Sequence, residues 1–105
     1  MKLSVTARNF ELSDALQEYT MKKLAKLRRF EHHIIDAHMT MEKDKGTSII
    51  ELMLAVKHSS MTSRVKNPDI YMGISDAVRK VERQLDKYDA KFRERKRLSQ
   101  KTKRE

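Results

Sequence analysis

Between residues 67 and 98 the apolar side chains fall at Ile70, Ile74, Val78, Val81, Leu85, Tyr88 and Phe92, in steps of four and three. That spacing is the stripe of one long amphipathic helix. Asn67-Pro68-Asp69 marks its start: Asn67 can cap, Pro68 fits the first turn, and Asp69 suits the positive end of the dipole. Turning each residue by about 100° puts Lys80, Arg83, Lys87 and Lys91 on a second face, opposite the stripe. Glu82, Asp86 and Asp89 gather on a third face, along one edge of the stripe. Like charges at i,i+4, such as Arg83 with Lys87, cost roughly 0.2–0.5 kcal/mol each. A surface kept for a polyanion accounts for this segregation; a solvated face with no partner stands as the alternative.

The rest of the chain supplies a surface for that stripe. Residues 2–8 alternate, with Leu3, Val5 and Ala7 against Ser4, Thr6 and Arg8, as a half-buried strand does. Residues 13–30 read as a helix capped by Ser13, with Leu16, Tyr19, Leu24 and Leu27 on its apolar face. Lys22, Lys26 and Arg29 form a basic ridge beside that face, with Lys23 and Arg28 adding charge. Cations near a helix C-terminus are favourable in themselves, yet the dipole does not call for five in eight residues. Residues 34–42 alternate again, placing Ile35, Ala37, Met39 and Met41 on one face. After a turn at residues 43–46, residues 47–57 give the strongest strand, with Ile50, Leu52, Leu54 and Val56 inward. These two strands should pair antiparallel. A turn at residues 58–60 leads to a more polar strand, residues 61–66, suited to a sheet edge.

The order strand, helix, three strands, helix predicts an α+β fold, β-α-β-β-β-α: a four-stranded sheet with two helices packed on one face. One domain over residues 1–98 is expected, the end of the last helix overhanging the sheet, with a short basic disordered tail at residues 99–105. Gly73 and Ala77, one turn apart, suggest a close approach to the first helix.

Twenty-four Lys and Arg against 15 Asp and Glu leave a formal net charge of +9, which points to nucleic acid before an acidic membrane. The absence of cysteine excludes disulfides and thiolate chemistry. Neither a signal-peptide pattern nor an apolar run of roughly 18 residues is present, so a cytoplasmic location is expected. His32, His33, His38 and His58 show no metal-ligand spacing and read as solvent-facing, and no catalytic set rises above chance. No catalytic residue, metal, cofactor, membrane or small-molecule substrate is therefore expected, and an enzyme is disfavoured.

The strands carry no aromatics, so the sheet does not read as a base-stacking platform. What remains is a basic surface on two helices, fitted to phosphates and a fixed RNA shape. At this point the residues resemble a known family. Lys23-Leu24-Ala25-Lys26-Leu27-Arg28-Arg29-Phe30 with His33-Ile34-Ile35 is similar to the first-helix motif of the ribosome hibernation promoting factors, also called ribosome-associated translation inhibitors or sigma-factor modulation proteins. Asp69-Ile70-Tyr71, Ile74, and Arg83-Gln84-Leu85 with Lys87 and Lys91 resemble the second-helix motif, and Arg8 with its strand matches too.

The resemblance implies a fold like double-stranded-RNA-binding domains. It also implies a partner, the small ribosomal subunit and its ribosomal RNA, with translation silenced in stationary phase or stress by occupation of the tRNA and messenger channel. By position, the implied RNA-binding residues are Arg8, Lys22, Lys23, Lys26, Arg28, Arg29, Lys80, Arg83, Lys87 and Lys91. Arg79 joins them on charge and position alone, since many relatives look acidic there. Without the C-terminal dimerisation domain of the long form, the chain resembles the short type, expected to be a monomer when free. A protein-interaction module docking an acidic partner through the same helices is the alternative.

Overall fold

The computed structural model describes the backbone of residues 1–104 and the side chains of residues 1–96. Its elements are β1 (Lys2–Arg8), α1 (Asp14–Leu24), a 3₁₀ segment (Ala25–Phe30), β2 (Ile34–Asp44), β3 (Thr47–Val56), β4 (Ser59–Asn67) and α2 (Ile70–Arg104). They follow the predicted order. The sheet runs β1-β2-β3-β4, with β1 parallel to β2 and the other pairs antiparallel. A parallel neighbour needs a crossover, and α1 with the 3₁₀ segment supplies it. The β2–β3 hairpin closes through Lys45 and Gly46, both at positive φ (47° and 81°), as a two-residue primed turn requires.

Both helices share one face of this sheet in a single core. Ala37, Met39, Met41, Ile50, Leu52, Leu54, Val56, Met61 and Val65 meet Leu16, Leu24, Leu27 and Phe30 from the crossover. From α2 come Ile70, Ile74, Ala77, Val78, Val81 and Leu85. β4 lies at an edge, where its exposed Arg64 and Lys66 discourage further pairing.

Four local features depart from the sequence reading. The first helix does not run to residue 30 as one α-helix; beyond Leu24 it tightens to 3₁₀. Leu24, Leu27 and Phe30 are all buried, and a threefold turn keeps i, i+3 and i+6 in line where an α-helix would let them drift. Ile35 is 57% exposed: an irregularity between Ile34 and Asp36 makes it the extra residue of a bulge, and Ile34 takes the inward place. α2 begins at Ile70, so Pro68 lies before it rather than in its first turn. Asp69 Oδ1 accepts from the Tyr71 and Met72 amides at 2.9 and 3.5 Å, while Asn67 Oδ1 accepts from Asp69 N–H at 2.8 Å. Asp69 is therefore the cap and Asn67 the turn before it.

The fourth departure concerns Gly73. It approaches the sheet, not the first helix: a Cβ there would collide with Ile50 Cδ1 and touch Asn67. Next along, the Ala77 carbonyl accepts a hydrogen bond from buried Ser63 Oγ at 2.9 Å.

Past Tyr88 the helix leaves the sheet, and residues 90–96 are all exposed. The helix backbone runs on through residues 99–104, where a tail was expected. The side chains of residues 97–104, and the whole of Glu105, lie outside the described residues.

Gly73→Ala sets about 1 kcal/mol of helix propensity against overpacking of about 1–3 kcal/mol. A net loss of stability is expected in the wild-type background. In an Ile50→Val background, which removes the colliding methyl, the same change should become neutral or stabilising in a denaturant titration.

Candidate nucleic-acid interface

Seating the α2 stripe on β3 and β4 decides where its charges point. Lys80, Arg83, Lys87 and Lys91 are all exposed, and among the described residues none makes an ion pair. They form a continuous ridge over three turns. The acidic edge faces the 3₁₀ segment and is occupied. Arg29 Nη2 lies 3.4 Å from Glu82 Oε2 and 3.5 Å from Asp86 Oδ2, its guanidinium stacked 4.2 Å over the Phe30 ring. Asp89 receives Arg93 at 3.0 Å and His33 at 2.8 Å.

The sequence-predicted cations thus divide into groups. Lys22, Lys26 and Arg28 are exposed on the crossover, and Lys23 is half-buried with its ammonium 5.3 Å over the Tyr19 ring. Arg29 is tied down by α2 acids, and Arg79 pairs with Asp76 at 3.2 Å within its own helix. Both remain more than half exposed, and such pairs yield readily to a stronger anion. Arg8 stands apart. It ends β1 on the face away from the helices, with Ser4 and Thr6. That open face holds His38, hydrogen-bonded to Ser4 at 2.6 Å and Thr6 at 3.3 Å, beside Met53 and Thr62. No strand places a Phe, Tyr or Trp there, in keeping with the absence of a stacking platform.

The histidine reading needs correction at one position. His33 is 4% exposed, lodged edge-on between Tyr88 and Phe92, with ring centroids 5.1 Å away in each case. Its Nε2–H donates to Asp89 Oδ1 at 2.8 Å. Periodicity could not show this, because His33 sits in the turn between two regular elements. His38 and His58 are not brought together: His38 pairs across to Met53, while His58 forms the β3–β4 turn. The cluster that does form, His32, His33 and Asp89, holds its three ligand atoms within 4.8 Å of one another.

A one-sided α+β layer whose long helix carries a basic ridge without ion pairs among the described residues defines the class of domain. Within that class the chain belongs to the family described as Sigma 54 modulation protein / S30EA ribosomal protein, matched over residues 3–93. It is 28% identical over 94 residues to the ribosome hibernation promoting factor of Salmonella typhimurium, covering 90% of this chain and 99% of that one. The fold matches a ribosomal subunit interface protein from Coxiella burnetii with a TM-score of 0.79 and 27% identity, over 86% of this chain and 99% of the other. The N-terminal domain of Thermus thermophilus Protein Y gives a TM-score of 0.77 and 25% identity, over 84% and 99%.

The hydrogen bond from His33, reinforced by Arg93, holds the Asp89 carboxyl below the usual carboxylate range. A depressed folded-state pKa adds stability above the unfolded value, near 4, that is lost as pH falls through the folded one. The difference in melting temperature between wild type and Asp89→Asn should therefore be full at pH 5 and shrink on titration below about pH 4. A constant difference down to pH 2.5 would show that the carboxylate charge is not what couples the turn to α2.

Proposed function

We propose that this protein is a ribosome hibernation factor: it binds the small ribosomal subunit through ribosomal RNA and silences translation by occupying the tRNA and messenger channel in stationary phase or stress. It acts in the cytoplasm, as a monomer when free, through residues 1–98. The observation that carries this reading is the ridge of Lys80, Arg83, Lys87 and Lys91, exposed and without ion pairs among the described residues. Glu82, Asp86 and Asp89 of the same helix are turned away from it and used in ties within the fold. The names of the relatives support the ribosomal partner.

Four cations over three helical turns offer phosphate contacts at fixed spacing, and the exposed crossover cations Lys22, Lys26 and Arg28 extend the surface. Lys23, Arg29 and Arg79 can turn to phosphates at small cost. Arg8, on the other face, contacts RNA only if the nucleic acid wraps the β1 edge. The rigid framework suits recognition of backbone shape, since no strand offers a stacking ring.

Two outcomes test the reading. Arg83→Glu with Lys87→Glu should abolish cosedimentation with ribosomes at fixed salt while leaving the thermal melt nearly unchanged, because both side chains project from the exposed ridge. Leu85→Ala serves as the packing control; it should cost about 2–5 kcal/mol of stability, its binding loss tracking unfolding. Equal binding by wild type and the double charge reversal would sink the ridge mechanism.

Salt gives the second outcome. If roughly six to ten cations meet phosphates, affinity should fall by about 10³–10⁵ between about 50 and 200 mM salt. A flat response would favour a protein partner docking on the same helices.

A further inference from the structure

We propose that His32, His33 and Asp89 form a binding site for a first-row divalent transition metal of the zinc type, at the junction of the crossover with α2. The backbone brings the two imidazoles together. Residues 31–33 form a turn, closed by His33 N–H to the Phe30 carbonyl (2.9 Å) and Ile34 N–H to that of Glu31 (3.2 Å). Successive side chains diverge on a strand, but here they leave on the same side. Their rings lie 3.9 Å apart, tilted by 43°.

Both Nε2 atoms are directed at one oxygen, Asp89 Oδ1, at 2.8 Å from His33 and 4.0 Å from His32. Zinc–ligand distances of about 2.0–2.2 Å put tetrahedral donors roughly 3.3 Å apart. His33 and Asp89 therefore need to part slightly and His32 to close in. His32 is free to do so, its side chain being 62% exposed. The other two ligands are preorganised. His33 is gripped between Tyr88 and Phe92, and Arg93 holds the second carboxylate oxygen of Asp89 at 3.0 Å, leaving Oδ1 for the ion.

An open cleft of ≈ 440 Å³, lined by His32, Asp89, Asp86 and Arg29 among others, gives a route in and space for water as a fourth ligand. Two imidazoles and a carboxylate suit Zn²⁺, Ni²⁺ or Cu²⁺; Mg²⁺ and Ca²⁺ favour oxygen-rich sets. On binding, the ion takes the place of the Nε2 proton that His33 donates to Asp89, and that proton passes to solvent. Arg29 and Arg93 at the rim oppose a dication, so affinity falls below that of closed four-ligand sites.

The test uses the untagged full chain, freed of metal by chelator, with Zn²⁺ followed by calorimetry and thermal melts and Co²⁺ by its visible ligand-field absorption. One Zn²⁺ per chain should bind, and at a hundredfold excess over Kd the melting temperature should rise by at least ~4 °C. Mg²⁺ should have no such effect. His32→Ala should leave the metal-free melt unchanged, since that ring is exposed, and weaken Zn²⁺ binding at least ~10-fold. Asp89→Asn should abolish the Co²⁺ spectrum. No binding by wild type would overturn the site and leave His33–Asp89 a hydrogen-bonded clamp. Undiminished binding by His32→Ala would overturn it equally, by putting the ion elsewhere.

Discussion

The seat of α2 on β3 and β4 is the constraint on which the remaining structure depends. Ile74, Val78, Val81 and Leu85 are almost wholly removed from water against Ile50, Leu52 and Leu54. Polar contacts then fix the helix's rotation and height. Ser63 holds the Ala77 carbonyl, Gln84 reaches the Thr62 carbonyl at 3.2 Å, and Tyr88 OH donates to that of Lys57 at 3.1 Å. Gly73 lets Ile50 fill the space a side chain would occupy. A helix turned by one residue's angle would bring charged side chains toward the sheet, and burying an unpaired charge is far costlier than any of these bonds.

Charge consequently does two jobs in one helix. Acids along the inner edge join the crossover to α2, through Arg29 and through His33. Each exposed pair is weak alone. The partly buried His33–Asp89 contact is the more constrained of these links, with aromatic edges on both sides of the imidazole. Cations on the outer face are left without partners among the described residues, a mild self-repulsion that a polyanion would relieve.

Much of this was legible because it is periodic. Alternation through Ile50, Leu52, Leu54 and Val56, and steps of three and four from Ile70 to Leu85, placed the core and both charged faces of α2. What escaped lies where periodicity breaks. One bulge at Ile35 turns that residue outward and Ile34 inward, and a run of Leu24, Leu27 and Phe30 looks the same in an α-helix or a 3₁₀ turn until packing chooses. Asn67 and Asp69 are equally good caps by residue type, and only the chain's exit from β4 selects Asp69. The environment of His33 is made by residues 55 to 59 positions further on. No local pattern encodes that. For the interface, the exposed ridge could be read from sequence, whereas the tying down of Arg29 and the separation of Arg8 required the tertiary arrangement.

The parallel pairing of β1 with β2 also bears on how the chain comes to be folded. Lys2 to Arg8 find their partners at Asp36 to Glu42, thirty-four positions later and across a helical crossover. β2, β3 and β4 are joined by tight turns, and α2 follows directly to cover them. These later elements form a contiguous unit whose contacts are comparatively local, and loop-closure entropy favours its early assembly. During synthesis the first strand emerges well before anything it can pair with. The β1–β2 pairing is thus the one in the sheet that spans the most sequence, and the one that loop-closure entropy resists most.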